Sequence, residues 1–232
     1  MIRRLLYIAA VLMLLRHDAG AQSHSADATA ADENAALQMA AEPPEVWRAY
    51  DDMSSMSMAN RKNTYRGLSS SIKAAVWAHH LRKTLVEHPE FTPKQVELIK
   101  EYLSLLTPQL FGVESSTPEW WAHVDAPLQE LEQRARDIFD PKLARTVFAD
   151  LAGQSGERPS SSVLEQTASS GRSKRRLTPN IPYCECSTVS DFCLTGYKCV
   201  QGGCYFTSEG CGTLWSYSCI GLCIKQEDEG GG

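Results

Sequence analysis

The chain has 232 residues, 43% of them hydrophobic and 22% charged, which permits one or two ordinary domains with a modest core. Its formal net charge of −5 excludes a generally basic protein that wraps nucleic acid or adheres to anionic lipid. We therefore expect no nucleic-acid partner, and other partners must be sought in local features.

The N-terminus has the layout of a cleavable secretory signal peptide. Two arginines precede an apolar run at residues 5–15, and a triplet of small residues ends at Ala21. We expect residues 1–21 to be removed after Ala21 and the chain to be secreted. The alternative is a retained membrane anchor, but a bilayer span needs about 20 apolar residues and no later segment of the sequence has such a run. The sequence thus predicts no stable membrane span.

Residues 22–42 show no periodic apolar face and are expected to form a flexible spacer. Helical periodicity then runs through residues 43–153, with no convincing period-two alternation. Capping residues or a proline at a first helical position mark the predicted helix starts at Pro44, Ser69, Thr92, Thr117 and Asp140. The helix after Ser69 is expected to close at Pro89 and to form an antiparallel hairpin with the helix after Thr92. The sequence predicts a helical bundle of about four or five helices.

A linker is predicted at residues 154–183, where the apolar pattern collapses into Gly, Ser, Pro, Glu and Arg. It contains a basic cluster, Arg172, Lys174, Arg175 and Arg176. A protease that favours arginine needs an extended backbone, which a flexible linker supplies, so we expect processing here. The alternative is a solvated run of charge with no processing.

All eight cysteines fall within residues 184–223: Cys184, Cys186, Cys193, Cys199, Cys204, Cys211, Cys219 and Cys223. An even number in so short a segment of an exported chain indicates four disulfides, because such a segment buries too little apolar surface to hold itself together. The alternative is a zinc site, which favours C-x2-C spacing and histidine ligands, and this segment has neither. We expect a small disulfide-rich module with short strands and turns, and no metal.

The pairing of the cysteines is left open by the sequence, with one restriction. Cys184 and Cys186 are one residue apart, so a bond between them demands a strained ring. Each is expected to bond to a distant partner, most simply within residues 211–223.

Aromatic residues suggest a contact surface on the module. Trp215 lies beside Tyr217 and near Tyr205 and Phe206. Because so small a module has little interior, we expect Trp215 to be partly exposed. The alternative is that Trp215 covers a disulfide.

No catalytic residues and no cofactor are expected. His79 and His80 are adjacent on a predicted helix and point about 100° apart, without metal-ligand spacing, which favours structural or surface roles. With every cysteine oxidised, a thiol nucleophile is not expected either. We therefore expect a protein that is not an enzyme.

The segment from residue 184 to the end, which includes an acidic and glycine-rich tail at residues 224–232, carries two basic and six acidic side chains, a net charge of −4. An anionic membrane would repel a peptide of this charge, so we expect a released peptide to use a specific target rather than cationic lysis.

Residues 184–193 carry the pattern C-x-C-S-x-x-S-D-aromatic-C, which continues with Gly210, Cys211, Gly212, Thr213, Trp215, Tyr217, Cys219 and Gly221. This order of cysteines, glycines and aromatic residues resembles the family related to fulvocin C, a bacteriocin of myxobacteria. More loosely, residues 68–111, with Trp77, Gln95 and Leu106-Thr107-Pro108, resemble the helical region of longer family members.

The resemblance implies a secreted, disulfide-bonded antibacterial peptide made from a longer precursor. The helical region is then a pro-region, and the partners are a processing protease and an unknown target on other bacteria, either a protein or an envelope component. The alternative is a non-toxic extracellular binding module that retains the helical domain.

Overall fold

The computed structural model of the chain describes residue 35 and residues 38–39, 41–113, 117–153 and 181–226. The predicted signal peptide, most of the predicted spacer and linker, and the acidic end of the tail lie outside the described residues.

The described part of residues 41–153 is helical. The helices are α1 (Pro44–Ser54), α2 (Met58–Arg66), α3 (Ser70–Glu87), α4 (Pro93–Leu105), α5 (Pro118–Trp120), α6 (Ala126–Ile138) and α7 (Pro141–Phe148). A π-helical turn, Trp121–Asp125, joins α5 to α6 directly ahead of Pro127. The predicted helical region is confirmed, with more short helices than the four or five expected.

Local capping sets several helix starts, as the sequence predicts. Ser69 Oγ accepts the Ile72 N–H at the start of α3. At α4, Thr92 Oγ1 accepts the Gln95 N–H, and the Gln95 side chain accepts the Thr92 N–H at 2.8 Å. The capping box predicted there is therefore confirmed, and α3 and α4 pack against each other.

Helix α2 is not marked in the sequence by an apolar stripe. It buries Arg61 and Lys62 together with Tyr65. Because cations occupy part of its buried face, α2 lacks the hydrophobic periodicity by which amphipathic helices are identified in a sequence. Arg61 is held by Asp150, with its Nη1 2.8 Å from the carboxylate.

Short strands form the second part of the chain: β1 (Tyr197–Gln201), β2 (Thr207–Cys211), β3 (Tyr217–Cys219) and β4 (Gly221–Lys225). β1 pairs antiparallel with β4, and β2 pairs antiparallel with β3 across a 3₁₀ turn, Thr213–Trp215. The incoming segment adds isolated bridges from Tyr183 to Tyr205 and from Cys186 to Gly221. The predicted disulfide-rich module with short strands and turns is confirmed.

One hydrophobic core serves both parts of the chain. Leu214, Trp215 and Tyr217 belong to the same buried cluster as the helical side chains, and α2 contacts β2. The cysteine module is therefore packed into the helices rather than tethered beside them.

Gly212 is closely surrounded within the module, just ahead of the turn that carries Trp215, and we predict that Gly212→Ala destabilises the chain. Its φ is +67°, and an added Cβ would lie 2.6 Å from the Ser190 side chain and 2.7 Å from the Tyr217 ring. We expect the free energy of unfolding to fall by more than about 2 kcal/mol, from overpacking together with backbone strain.

The matched control is Gly196→Ala, which has a φ of +83° but nothing within 4 Å of the added Cβ. It should lose only about 1 kcal/mol, from backbone strain alone. Urea unfolding of the oxidised proteins, followed by tryptophan fluorescence, measures both. Equal losses would show that the close approach at Gly212 is not what matters.

Candidate functional site

Four disulfides organise the module, as predicted. They join Cys184 to Cys204, Cys186 to Cys199, Cys193 to Cys223, and Cys211 to Cys219. Cys184 and Cys186 do not bond to each other, which confirms that part of the prediction.

The expected partners of Cys184 and Cys186 in residues 211–223 are wrong. The incoming segment lies along Tyr205 on one side and Gly221 on the other. The first contact brings Cys184 to Cys204. The second brings Cys186 to β4, whose Cys223 stands opposite Cys199 in the register. Strand register, which the cysteine spacing does not reveal, therefore decides the pairing.

The sulfur atoms of Cys186, Cys193 and Cys223 lie within 4.8 Å of one another, a spacing that could hold a metal ion. Each of these sulfurs is engaged in a disulfide, so none offers the thiolate that zinc requires.

A buried surface of the module is formed by Leu214, Trp215 and Tyr217, which we call the shielded face. Trp215 is 1% exposed, and its ring packs edge-on against Tyr65 at 5.2 Å and Trp77 at 6.0 Å between centroids. Its indole N–H donates to the carbonyl of Ala149 at 2.8 Å.

Tyr217 completes the shielded face. It is 2% exposed and packs edge-on against Trp120 of α5, with 5.1 Å between ring centroids. Burial raises the pKa of the Tyr217 hydroxyl well above its usual range, and nearby Asp125 adds to the effect. The phenol therefore stays neutral in the assembled chain.

The expectation that Trp215 is partly exposed is wrong for the assembled chain. Aromatic rings of the helical region, which the expectation did not take into account, pack against Trp215 and Tyr217. Leu214 and Trp215 both have a φ of +53°, the left-handed region that side chains rarely adopt, so this turn is strained where it enters the helices.

Glu132 of α6 anchors one edge of the shielded face. Its buried carboxylate accepts hydrogen bonds from Ser190 Oγ and, at 2.7 Å, from Thr213 Oγ1. Arg136 donates to the other carboxylate oxygen at 2.5 Å and to the carbonyl of Asp191 at 2.7 Å. A buried carboxylate is tolerated because each oxygen has donors.

A second set of polar contacts to the module comes from bases on the helices. Lys73 of α3 donates to both carboxylate oxygens of Glu209, at 2.6 and 2.8 Å. Arg66 of α2 donates to Thr207 Oγ1 at 3.2 Å and to the carbonyl of Glu209 at 3.3 Å. These anchoring residues were not identified from the sequence; the only available signal was the acidic balance of the module.

The side chain of Lys62 in α2 is buried against the module. Its Nζ donates to the carbonyl of Glu185 at 3.0 Å and lies 3.2 Å from Cys211 Sγ. Burial lowers the pKa of Lys62 to about 7; Arg66 and Arg145 also lower it, while Glu185 and Asp150 oppose them.

A second aromatic group remains open to solvent. Tyr183, Tyr205 and Phe206 are 61%, 54% and 63% exposed, and the two tyrosine rings lie 6.0 Å apart. Of the four predicted contact residues, the structure therefore leaves Tyr205 and Phe206 accessible and covers Trp215 and Tyr217. We call Tyr183, Tyr205 and Phe206 the open patch.

The two adjacent histidines are buried in the helical region. His79 Nδ1 lies 2.6 Å from Glu42, and His80 contacts the Tyr50 hydroxyl at 2.9 Å and the Thr146 carbonyl at 3.1 Å. Burial lowers the pKa of His80 to about 4. These contacts tie helices together.

The predicted processing residues, Ala21, Arg172, Lys174, Arg175 and Arg176, lie outside the described residues. Within the described ranges, no helix combines the length and apolar character needed to cross a membrane. Comparisons with protein-family models, curated proteins and solved structures find no match to this chain.

The depressed pKa of Lys62 predicts that stability rises with pH. Between about pH 7 and the ordinary lysine value near 10.4, the unfolded chain carries a proton on Lys62 that the folded chain has released. The free energy of unfolding of the native chain, relative to Lys62→Met, should rise by at most about 1.4 kcal/mol per pH unit.

Urea unfolding at pH 7, 8 and 9 measures this difference. Lys100→Met, at an exposed position of α4, tests whether loss of any lysine has the same effect. A difference between the native chain and Lys62→Met that stays constant over this range would contradict the prediction.

Proposed function

We propose that the chain is the secreted precursor of a disulfide-bonded, bacteriocin-like antibacterial peptide, and that the helical region shields the peptide's contact face until release. The observation that carries this proposal is the burial of Trp215 and its neighbours on the shielded face by helices that precede the module. The resemblance of the cysteine pattern to the fulvocin C-related family supports the antibacterial assignment.

Release would uncover a compact apolar surface. Leu214, Trp215 and Tyr217 are each nearly inaccessible in the assembled chain and derive much of their cover from helical side chains. Exposed apolar patches of this kind mark interaction sites, and tryptophan and tyrosine are the residues that dominate binding hot spots. The module's negative charge favours a specific protein or envelope target over lysis of anionic membranes.

Cleavage of the linker would not by itself free the module. Burying side chains of this size stabilises the contact by about 2 kcal/mol each, and the Lys73–Glu209 and Glu132 contacts add directional anchors. A cut chain should therefore stay associated until the target, dilution or removal of the helical region separates the parts.

An oxidised peptide covering residues 177–232 should inhibit growth of related bacteria, because its contact face is uncovered. Trp215→Ala in this peptide should raise the inhibitory concentration by about tenfold or more, as loss of a hot-spot aromatic does. Val200→Ala, at a residue of β1 that is 49% exposed, is the matched control and should leave the inhibitory concentration unchanged.

The uncut chain should have an inhibitory concentration at least about tenfold higher than that of the free peptide. The same is expected of a chain that is cut in the linker without denaturation. Growth inhibition across a panel of strains, measured as minimal inhibitory concentration, checks all of these. No inhibition by the oxidised peptide would count against the antibacterial function. Equal potency of the peptide and the uncut chain would count against shielding.

A second candidate is an extracellular binding protein that keeps its helical domain. The observation that favours it is the open patch, since Tyr183, Tyr205 and Phe206 are available for contact without any release. In this case the shared core is a permanent part of the fold.

Mass spectrometry of the culture supernatant distinguishes the two candidates. The precursor predicts a fragment that begins between residues 173 and 183 and carries four disulfides. The binding protein predicts one intact chain that begins near residue 22. A supernatant that holds only the intact chain, under conditions in which growth inhibition is produced, would rule out release.

A further inference from the structure

A cavity of about 300 Å³ lies between α2, the end of α7 and the cysteine module. Its floor is buried and includes Lys62 and Trp215, while exposed residues such as Asn63 and Tyr183 form part of its rim. Phe192 adds a further aromatic wall. The volume matches the lower end of small-molecule sites in proteins, which are about 300 to 1,000 Å³ and mostly apolar.

The cavity holds more basic than acidic side chains. Lys62, Arg66 and Arg145 line it, against the carboxylates of Asp150 and Glu185. Asp150 is engaged by Arg61 at 2.8 Å, and Glu185 Oε1 accepts the Cys223 N–H at 3.0 Å.

Lys62 is the most deeply buried of these bases. It is 8% exposed, and among the described residues its ammonium contacts a carbonyl and a disulfide sulfur but no carboxylate. Its Nζ also lies 5.9 Å from the centroid of the Trp215 ring. A buried cation without a carboxylate partner is unfavourable. An anion that enters the cavity can therefore form an ion pair with Lys62 without displacing a protein carboxylate.

We propose that this cavity binds a small amphipathic monoanion, a carboxylate on an aromatic or short aliphatic body, with the carboxylate at Lys62 and the body against Trp215 and Phe192. Of the three bases only Lys62 is buried, since Arg66 and Arg145 are half-exposed, and this favours a ligand that places a single negative charge at Lys62. Since the walls come from both the helices and the module, the ligand would bind only the assembled chain.

Binding should weaken as pH rises. A bound carboxylate favours the protonated form of Lys62, whose pKa in the empty site is about 7. The charged groups that face it are Arg66 on α2, Arg145 and Asp150 at α7, and Glu185 in the module. Affinity should fall by about tenfold between pH 6.5 and 8.5, as the ammonium is lost.

Calorimetric titration of the purified, oxidised chain with 2-naphthoate at pH 6.5 tests the proposal. The uncharged 2-naphthamide has the same ring system and is the matched control ligand. We expect one naphthoate per chain and an affinity for naphthamide at least about tenfold lower. Lys62→Met should reduce naphthoate affinity to the level of naphthamide, whereas Lys100→Met, at an exposed position of α4, should not change it.

Near-ultraviolet circular dichroism shows whether Lys62→Met keeps the native packing. If it does not, Arg145→Gln provides a second variant, and its naphthoate affinity should fall several-fold. The proposal is overturned by no saturable binding of naphthoate, by equal affinity for both ligands, or by unchanged affinity in a folded Lys62→Met. The growth-inhibition experiment with residues 177–232 lacks the helical wall of the cavity, so its outcome is independent.

Discussion

The burial of Trp215 between the helices and the cysteine module is the interaction on which the architecture depends. Its indole fills the space between Tyr65 and Trp77, and its N–H satisfies the carbonyl of Ala149. Removing a fully buried tryptophan from a core costs about 3 to 5 kcal/mol, a large part of the stability of an ordinary domain. The cysteine-rich module is cross-linked by its own disulfides. Because Trp215 is buried among helical side chains, the stability of the module is nevertheless coupled to that of the helical core.

Polar contacts around Trp215 fix the orientation of the module. Glu132 accepts hydrogen bonds from two hydroxyl groups of the module, and Lys73 forms an ion pair with Glu209. Buried ionic groups contribute little net stability when desolvation is counted, but they strongly disfavour arrangements that leave them unpaired. The aromatic contacts therefore supply the affinity, and the charged contacts select one geometry.

The features predicted correctly from the sequence are those decided by neighbouring residues. The starts of α3 and α4 follow from Ser69 and from the Thr92 and Gln95 pair, because a capping box is contained in four residues. The four disulfides follow from the number of cysteines. Each of these predictions needed only local chemistry.

The features that were missed depend on contacts between distant residues. Helix α2 has cations on its buried face, and their hydrogen-bond partners are supplied by Asp150 and by the module, which lie far away in the sequence. The partners of Cys184 and Cys186 depend on strand register. The exposure of Trp215 was predicted wrongly because its cover comes from residues more than 60 positions earlier in the chain, such as Ala149.

The position of the module after the helices has a consequence for the order of folding. A ribosome completes the helical region first, so its core has a vacancy among Tyr65, Trp77 and the end of α7 until residue 215 is made. Eight cysteines admit on the order of 100 pairings, and the turn that presents the indole is closed by Cys211 and Cys219. We expect a module with other cysteine pairs to place the indole less well in that vacancy, which would leave its disulfides more accessible to thiol exchange. We therefore expect packing against the helical core to favour the native cysteine pairing in the segment that completes that core.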